Sequence, residues 1–254
     1  MVSPAGMGTV TIKLTPPQHV ARAASDNTLL ATLSSDDFAQ MCMELEHVEL
    51  HVHEVLYEPG DEIKYVYFPT SGCVSMVRIM QAGTVEVGTV GFEGMVGMPL
   101  LLHGTSAPTR ALVQVEGDGY RMATAPFLRL IALSDSTYRV LLRFALAFFN
   151  QVAQSVACNR LHSLEERCAR WLLITHDRVA GDEFRLTQEF LSFMLGVHRP
   201  AVTLAAGVLQ KAGYIHYSRG KILITDRAGL EGAACACYSA IRDDYALLIG
   251  KHAN

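Results

Sequence analysis

The sequence lacks the features that would place the chain in a membrane or outside the cell. Its most apolar run, residues 140–149, is interrupted by Arg143 and is too short to span a bilayer. The N-terminus shows no basic stretch followed by an apolar one, which is the pattern of a signal peptide. We therefore expect a cytoplasmic protein without a membrane partner.

Cysteine and histidine occur without the spacing of a metal or disulfide motif. The six cysteines are scattered and form no CxxC pair, which is typical of a reducing compartment. For Cys235 and Cys237 the pattern favours packing or incidental exposure, with a redox switch as the alternative. His51 and His53 would share a strand face near His47, but no third type of ligand lies close in sequence. The sequence therefore predicts no metal site.

Catalytic motifs are also missing. Serine, histidine and aspartate residues are present, but neither a nucleophile elbow nor a catalytic spacing connects them, so we predict no enzymatic activity. Half of the 254 residues are hydrophobic and 18% are charged. The chain is therefore long and apolar enough for one large or two small domains, with disorder only at the ends.

Positive charge is concentrated in one segment of an otherwise acidic chain. Residues 1–162 carry 10 lysines and arginines against 15 acidic residues, whereas residues 184–227 carry 6 against 2. A basic patch of this kind is what contact with nucleic-acid phosphates requires. Because the patch is modest, we expect tight binding to need two copies of the chain.

The basic segment has the pattern of two short helices joined by a glycine turn. Thr187 is a favourable N-cap, and Gly196 is the expected residue where the first helix ends. The second helix begins at His198-Arg199-Pro200, where proline is tolerated, and it places Arg199, Thr203 and Gly207 on one face. Two strands are predicted at 214–217 and 222–225. Together these features predict a winged helix-turn-helix that presents its second helix to the DNA major groove.

The first half of the chain has a different sequence pattern. Residues 1–25 predict a loose tail and residues 25–50 a helix. From residue 51 to about 122, short apolar segments alternate with glycine turns, which is typical of a barrel or sandwich.

Residues 134–160 predict one long helix with two apolar stripes, and hence two burial partners. One partner would be the helix's own β-domain and the other a second copy of the chain. We assign the dimer interface to Leu141, Phe144, Phe148, Phe149 and Val152.

Taken in this order, the chain resembles the Crp/Fnr family of bacterial transcription regulators over residues 30–240. The resemblance is carried by the turn Glu58-Pro59-Gly60-Asp61, the long helix and the segment 186–224, with LTQE at 186–189 and LGVHR at 195–199. It implies an α+β fold with a β-roll sensor resembling a cyclic nucleotide-binding domain at 26–132, a dimerisation helix at 133–162 and a winged helix at 163–254.

The resemblance also implies a homodimer that binds double-stranded DNA at an inverted repeat, with half-sites roughly 34 Å apart. Arg199 is the predicted main base contact. RNA polymerase and an unidentified small-molecule effector are further expected partners. The complete set of predicted DNA-binding residues is Thr187, Gln188, His198, Arg199, Thr203, Arg219 and Lys221.

In the sensor, the resemblance places the family's nucleotide-binding pairs on Gly97-Met98 and Thr109-Arg110, with Val152 on the long helix. Met98 replaces the carboxylate that would hold the ribose, and Arg110 is displaced by one residue, so we expect no cyclic nucleotide. The alternative is a cyclic-nucleotide-responsive regulator with a divergent phosphate-binding cassette, in which Glu93 supplies the carboxylate. The N-terminus has no cysteine cluster for an iron–sulfur centre, and no cofactor is predicted.

Overall fold

The computed structural model describes residues 18–81 and 83–250. It starts with three short helices, α1 (Gln18–Ala24), α2 (Thr28–Ala31) and α3 (Ser35–Glu44). The side chains of Asn27 and Ser34 cap α2 and α3 by accepting hydrogen bonds from backbone amides. The predicted loose tail is therefore wrong for residues 18–24, and residues 1–17 lie outside the described part. The single helix predicted for residues 25–50 is replaced by α2, α3 and a strand.

Two antiparallel sheets form the β-domain, with strand orders β1-β7-β3 and β2-β6-β4-β5. Between them lie fully buried side chains such as Phe68, Met95 and Met122. A short 3-10 helix (Met98–Leu102) separates β5 from β6. The predicted β-roll is confirmed. Its strands are β1 (Glu46–Leu50), β2 (Val55–Tyr57), β3 (Tyr65–Pro69), β4 (Cys73–Met80), β5 (Gly83–Val90), β6 (Arg110–Val115) and β7 (Gly117–Ala123).

The histidines near β1 do not form the strand face that the sequence predicts. Strand β1 ends at Leu50, and His51 and His53 lie in the turn that follows. His53 has a positive φ of 68°, which no regular strand permits. The two side chains therefore share no strand face.

Helix α4 (Thr124–Leu133) leads into the long helix α5 (Asp135–Leu161), whose start is capped by Ser134. One face of α5 packs on the β-roll, where glycines allow a close approach. A Cβ at Gly94 would collide with the ring of Phe144, and one at Gly88 would lie 2.9 Å from the ring of Phe148. By length and composition alone α5 could cross a membrane, a test that core helices of soluble proteins also pass.

The C-terminal domain begins with α6 (Leu164–His176), which starts at a capping box formed by Ser163 and Glu166. It continues through β8 (Glu183–Arg185), α7 (Gln188–Leu195), α8 (Arg199–Lys211), β9 (Ile215–Ser218) and β10 (Lys221–Ile224). The strands form a sheet in the order β8-β10-β9. The predicted two-stranded wing therefore has a third strand, because β8 pairs with β10.

Two helices follow the sheet, α9 (Arg227–Ala233) and α10 (Cys237–Leu248). Helix α10 packs along α5, where the side chain of Gln151 joins the two. The side-chain nitrogen of Gln151 donates a hydrogen bond to the buried hydroxyl of Tyr245 at 3.0 Å, and its side-chain oxygen accepts one from the backbone amide of Thr89 at 2.7 Å. One polar side chain thus links α5, α10 and β5.

The two domains are docked through polar contacts as well as apolar ones. The indole of Trp171 on α6 donates to Glu86 on β5 at 3.0 Å, and Gln114 on β6 donates to Thr175 on α6 at 2.8 Å. Burial raises the pKa of the Glu86 carboxyl to about 7, against the opposing hydrogen bonds from Ser75 and Trp171. The arrangement of the C-terminal domain therefore depends on side chains of the β-roll.

Candidate DNA interface and sensor site

The helix-turn-helix is built from local signals. Thr187 caps α7 by accepting a hydrogen bond from the amide of Phe190 at 3.1 Å. Gly196 has φ 64°, the left-handed conformation that ends a helix, and α8 leaves at an angle of 103° to α7. Ser192 is buried between the helices, and its hydroxyl bonds to the carbonyl of Glu189. These features agree with the sequence expectations and fix the direction of α8.

Helix α8 buries one face and exposes the other. Val202, Ala205 and Leu209 are buried against α6 and α7, whereas Arg199 and Thr203 are exposed and Gly207 is half-exposed. Leu204 lies on the exposed side with 72% of its surface accessible. An exposed helix face with one long cationic side chain and little other bulk can approach a major groove closely.

The remaining predicted DNA-binding residues lie around this face. His198, at the N-cap position of α8, is exposed. The hydroxyl of Thr203 donates to the side-chain oxygen of Gln188 at 2.8 Å, which ties the start of α7 to α8. Polar side chains from both helices therefore form one continuous surface.

The wing is a tight hairpin whose loop consists of Arg219 and Gly220. Both have positive φ, 51° and 76°, as a type I′ turn requires. Arg219 is exposed at the tip. The ammonium of Lys221 lies 2.6 Å from the carboxylate of Glu183, so a phosphate at this position would compete with that carboxylate.

The residues predicted for an effector pocket are engaged within the chain. The guanidinium of Arg110 makes two hydrogen bonds with the carboxylate of Glu58, at 2.7 and 2.9 Å. Gly97 has φ 114°, and a Cβ there would lie 2.9 Å from Val66. Met98 begins the 3-10 helix, and Thr109 immediately precedes β6. Val152 is half-buried against the β-roll core.

The side chain of Tyr57 reaches the backbone of Gly97. This side chain is buried, and its hydroxyl donates to the sulfur of Met76 at 3.7 Å. Burial raises the pKa of the Tyr57 hydroxyl, and a hydrogen bond from the backbone of Gly97 opposes the rise. The hydroxyl of Tyr57 therefore lies at the backbone of the glycine that the resemblance assigns to nucleotide binding.

The alternative carboxylate, Glu93, is also occupied. Its oxygens accept hydrogen bonds from the guanidinium of Arg178 at 2.6 and 3.2 Å, and the two side chains are only 13% and 6% exposed. Arg178 also donates to the hydroxyl of Thr89 at 2.6 Å. Although burial alone lowers it, the pKa of Arg178 is raised overall by the charge of Glu93. This ion pair joins the β-roll to the segment that follows α6.

The structure corrects the predicted dimer interface. Leu141, Phe144 and Phe148 are buried in the core shared by α5 and the β-roll, so they are not available to a second copy in this conformation. Of the residues assigned to this interface, Phe149 is 66% exposed and Val152 half-buried. The two-stripe pattern was sound, but the stripe that faces the chain's own β-roll was partly assigned to the partner.

Sequence reasoning missed one further cluster. Cys158 and His162 at the end of α5 lie beside Cys235 and Cys237. Cys235 precedes α10, and Cys237 is its first residue. The closely spaced cysteines were the available signal, but their partners are about 75 residues away in sequence.

Two family models match the chain in the order that the fold suggests. A cyclic nucleotide-binding domain model matches residues 47–134, and a Crp-like helix-turn-helix domain model matches residues 166–233. Together they cover more than half of the chain. No curated protein sequence matches significantly.

Solved structures share this architecture at low sequence identity. FixK2 from Bradyrhizobium japonicum is 17% identical with a TM-score of 0.64, and the match covers 76% of this chain and 98% of that one. A CRP-family transcriptional regulator from Thermus thermophilus is 20% identical, with a TM-score of 0.62 and coverages of 74% and 96%. The c-di-GMP responsive global regulator CLP from Xanthomonas campestris is 14% identical, with a TM-score of 0.60 and coverages of 75% and 99%.

A β-roll, a long helix and a winged helix-turn-helix, in this order, define a class of DNA-binding regulators with an N-terminal sensor domain. The two domain models identify the class further, and the chain belongs to the Crp/Fnr-type transcription regulators.

Proposed function

We propose that the protein is a cytoplasmic homodimer that reads an inverted-repeat operator, with Arg199 as the principal base contact. The exposed face of α8 carries this proposal, because it presents Arg199 at the helix start next to small or apolar side chains. Arginine recognises guanine through its O6 and N7 atoms. The exposed side chain of Leu204 is apolar and therefore suits contact with the apolar methyl group of a thymine.

The other predicted residues support this contact. We assign base or phosphate contacts to His198 and Thr203, and backbone contacts to Gln188, to the helix start at Thr187 and to Arg219 in the wing. Lys221 contributes less because Glu183 neutralises its charge. RNA polymerase is a further partner consistent with the family.

Dimerisation is supported by an apolar stripe that α5 leaves exposed. Leu146, Phe149, Val156 and Leu161 are 49%, 66%, 67% and 75% exposed, and Ala153 lies between Phe149 and Val156. The spacing from 146 to 149, 153 and 156 alternates between three and four residues, as in a coiled-coil seam. We place the dimer seam on this stripe.

Phe149→Glu tests the seam. The charge would have to be buried between two helices, so we expect monomers in sedimentation velocity and a DNA affinity lower by about 10²–10⁴-fold, the avidity of a second half-site. Leu133→Glu is the control, because Leu133 is an equally exposed apolar residue on α4, outside the stripe. A dimer that survives Phe149→Glu would place the seam elsewhere.

Selection from random DNA with the full-length protein tests the DNA-reading proposal. We expect enriched sequences to contain an inverted repeat with half-site centres about 10 base pairs apart. Enrichment of direct repeats or single half-sites would contradict the homodimer. Binding without sequence enrichment would reduce the helix-turn-helix to a nonspecific DNA contact.

We propose further that the β-roll does not bind a cyclic nucleotide. Glu58 already neutralises Arg110, the backbone of Gly97 is hydrogen-bonded to the Tyr57 hydroxyl, and Glu93 is paired with Arg178. The match to the cyclic nucleotide-binding domain model favours the alternative, a divergent nucleotide sensor. Titration calorimetry of the full chain with cyclic AMP, cyclic GMP and cyclic di-GMP separates the two. Saturable micromolar binding of any of them would establish the alternative.

A further inference from the structure

Four side chains with metal-binding atoms converge where α5 ends. Cys158 lies in the last turns of α5 and His162 directly follows the helix, while Cys235 and Cys237 come from the junction of α9 and α10. One sulfur or imidazole nitrogen from each of the four lies within 4.8 Å of all the others. We propose that these four residues form a structural zinc site with three cysteine ligands and one histidine ligand.

The distances fit a tetrahedral zinc ion. Zinc–sulfur and zinc–nitrogen bonds of about 2.3 and 2.0 Å give edges of about 3.8 Å between two sulfurs and about 3.5 Å between sulfur and nitrogen. The sulfurs of Cys158 and Cys235 are 3.4 Å apart, and the sulfur of Cys237 is 3.5 Å from Nδ1 of His162. The widest separation must contract by about 1 Å, which side-chain rotation can supply.

The surroundings are those of a closed, structural site rather than a catalytic one. Cys158, Cys235 and Cys237 are almost completely buried, and His162 is half-buried. Four protein ligands leave no coordination position for a substrate. The amide of Gln154 donates to the sulfur of Cys237 at 3.0 Å, a hydrogen bond that stabilises a thiolate and holds its orientation.

The charge around the site also fits. Three thiolates and a neutral histidine around a divalent cation leave one negative charge, and the buried Arg170 and half-buried Arg167 lie nearby. Among the described residues, no hydrogen-bond partner reaches the buried Nε atoms of Arg167 and Arg170. A negatively charged metal centre would stabilise both guanidinium groups.

The position of the site gives zinc a structural consequence. His162 and Ser163 form the junction between the long helix and the DNA-binding domain, and α10 returns to this junction from the end of the chain. Arg167, one turn into α6, donates to the carbonyl of Leu195 at the end of α7 at 2.6 Å. Zinc would therefore fix α10 to α5 at the hinge that orients the helix-turn-helix.

Metal analysis of the full-length protein tests the site. We expect about one zinc ion per chain in protein purified under reducing conditions, measured by plasma mass spectrometry. Cobalt loaded in its place should give the intense visible bands of tetrahedral cobalt and a thiolate charge-transfer band. Cys42→Ser is the control, because Cys42 is also buried but lies on α3; this variant should keep the metal.

Variants at His162 keep the test independent of folding, because this residue is only half-buried. His162→Ala should lower the zinc content at least severalfold after mild chelation, whereas His162→Cys should retain it. Cys235→Ser with Cys237→Ser should abolish binding. Three results would overturn the proposal: folded wild-type protein that takes up neither zinc nor cobalt, iron with inorganic sulfide in place of zinc, or a Cys158–Cys235 disulfide whose reduction restores no metal binding.

Discussion

The winged helix and the β-roll hold their arginines in opposite ways. Arg199 and Arg219 are exposed, and no ion pair connects either of them to a carboxylate within residues 18–81 and 83–250. In the β-roll and at its border, Arg110 is bound by Glu58 and Arg178 by Glu93. The difference indicates that the charges of Arg199 and Arg219 are available to an external anion, whereas those of Arg110 and Arg178 already stabilise the fold.

Of the variants that test this difference, Arg178→Ala should cause the largest loss of stability. It leaves the carboxylate of Glu93 buried without its partner, so we expect the free energy of unfolding to fall by about 3–5 kcal/mol. Chemical denaturation followed by circular dichroism measures the change. The double variant Arg178→Met with Glu93→Leu should lose much less, since neither charge is then buried. A loss below about 1 kcal/mol in the single variant would contradict the structural role of the pair.

Arg199→Ala should weaken DNA binding without changing stability. Because the side chain is exposed, we expect unfolding to be unchanged, while binding to the selected operator weakens by about 1–3 kcal/mol and tolerates substitutions at one base pair. Gel-shift titrations with single-base variants of the operator measure both effects. Lys211→Ala is the control for an exposed cation at the far end of α8. Equal weakening on random DNA would make Arg199 a phosphate contact.

These two regions also differ in how far the sequence predicts them. The helix-turn-helix follows from signals within a few residues of one another, such as the cap at Thr187, the glycine turn at Gly196 and the capping box that starts α6. Such signals act through backbone hydrogen bonds close in sequence, so they are visible without a structure. The exposed face of α8 follows from the same local periodicity.

The α5 stripes show where this approach fails. Periodicity predicts two apolar stripes, but the choice between them depends on which one meets Gly88 and Gly94, about 50 residues or more away in sequence. Leu141, Phe144 and Phe148 were therefore misassigned to the dimer. The cluster around Cys158 and Cys235 was missed for the same reason, since a break between α9 and α10 turns the last helix back onto α5.

Glu86 tests whether the two regions are coupled electrostatically. Its carboxyl pKa is about 7 in the folded protein and near its ordinary value of 4.5 when unfolded. Between these values the folded state binds more protons, so stability should fall as pH rises from about 4.5 to 7 and then level off. We expect a decline on the order of 3 kcal/mol that is reduced in Glu86→Gln.

Fluorescence can follow this titration at the domain contact itself. The chain has one tryptophan, and its indole donates to Glu86, so its emission reports directly on this contact. Ser34→Ala is a control, because it removes a helix cap far from Glu86 and should leave the pH dependence of emission unchanged. An unchanged pH profile in Glu86→Gln would assign the titration to another group.

Arg110→Ala should have the smallest effect on stability. It is also the most direct test of whether the β-roll responds to a cyclic nucleotide. The pair with Glu58 is partly exposed, with 32% and 43% of the two side chains accessible, so solvent screens it and its loss should cost at most about 1 kcal/mol of stability. If the β-roll binds no cyclic nucleotide, operator binding by Arg110→Ala should match the wild type with or without added cyclic AMP or cyclic GMP. Arg129→Ala, which loses a similarly exposed pair with Glu44, is the matched control. The opposite outcome is a change in operator affinity on adding nucleotide that occurs in the wild type and in Arg129→Ala but not in Arg110→Ala. This result would show that Glu58 holds Arg110 only until a phosphate replaces it.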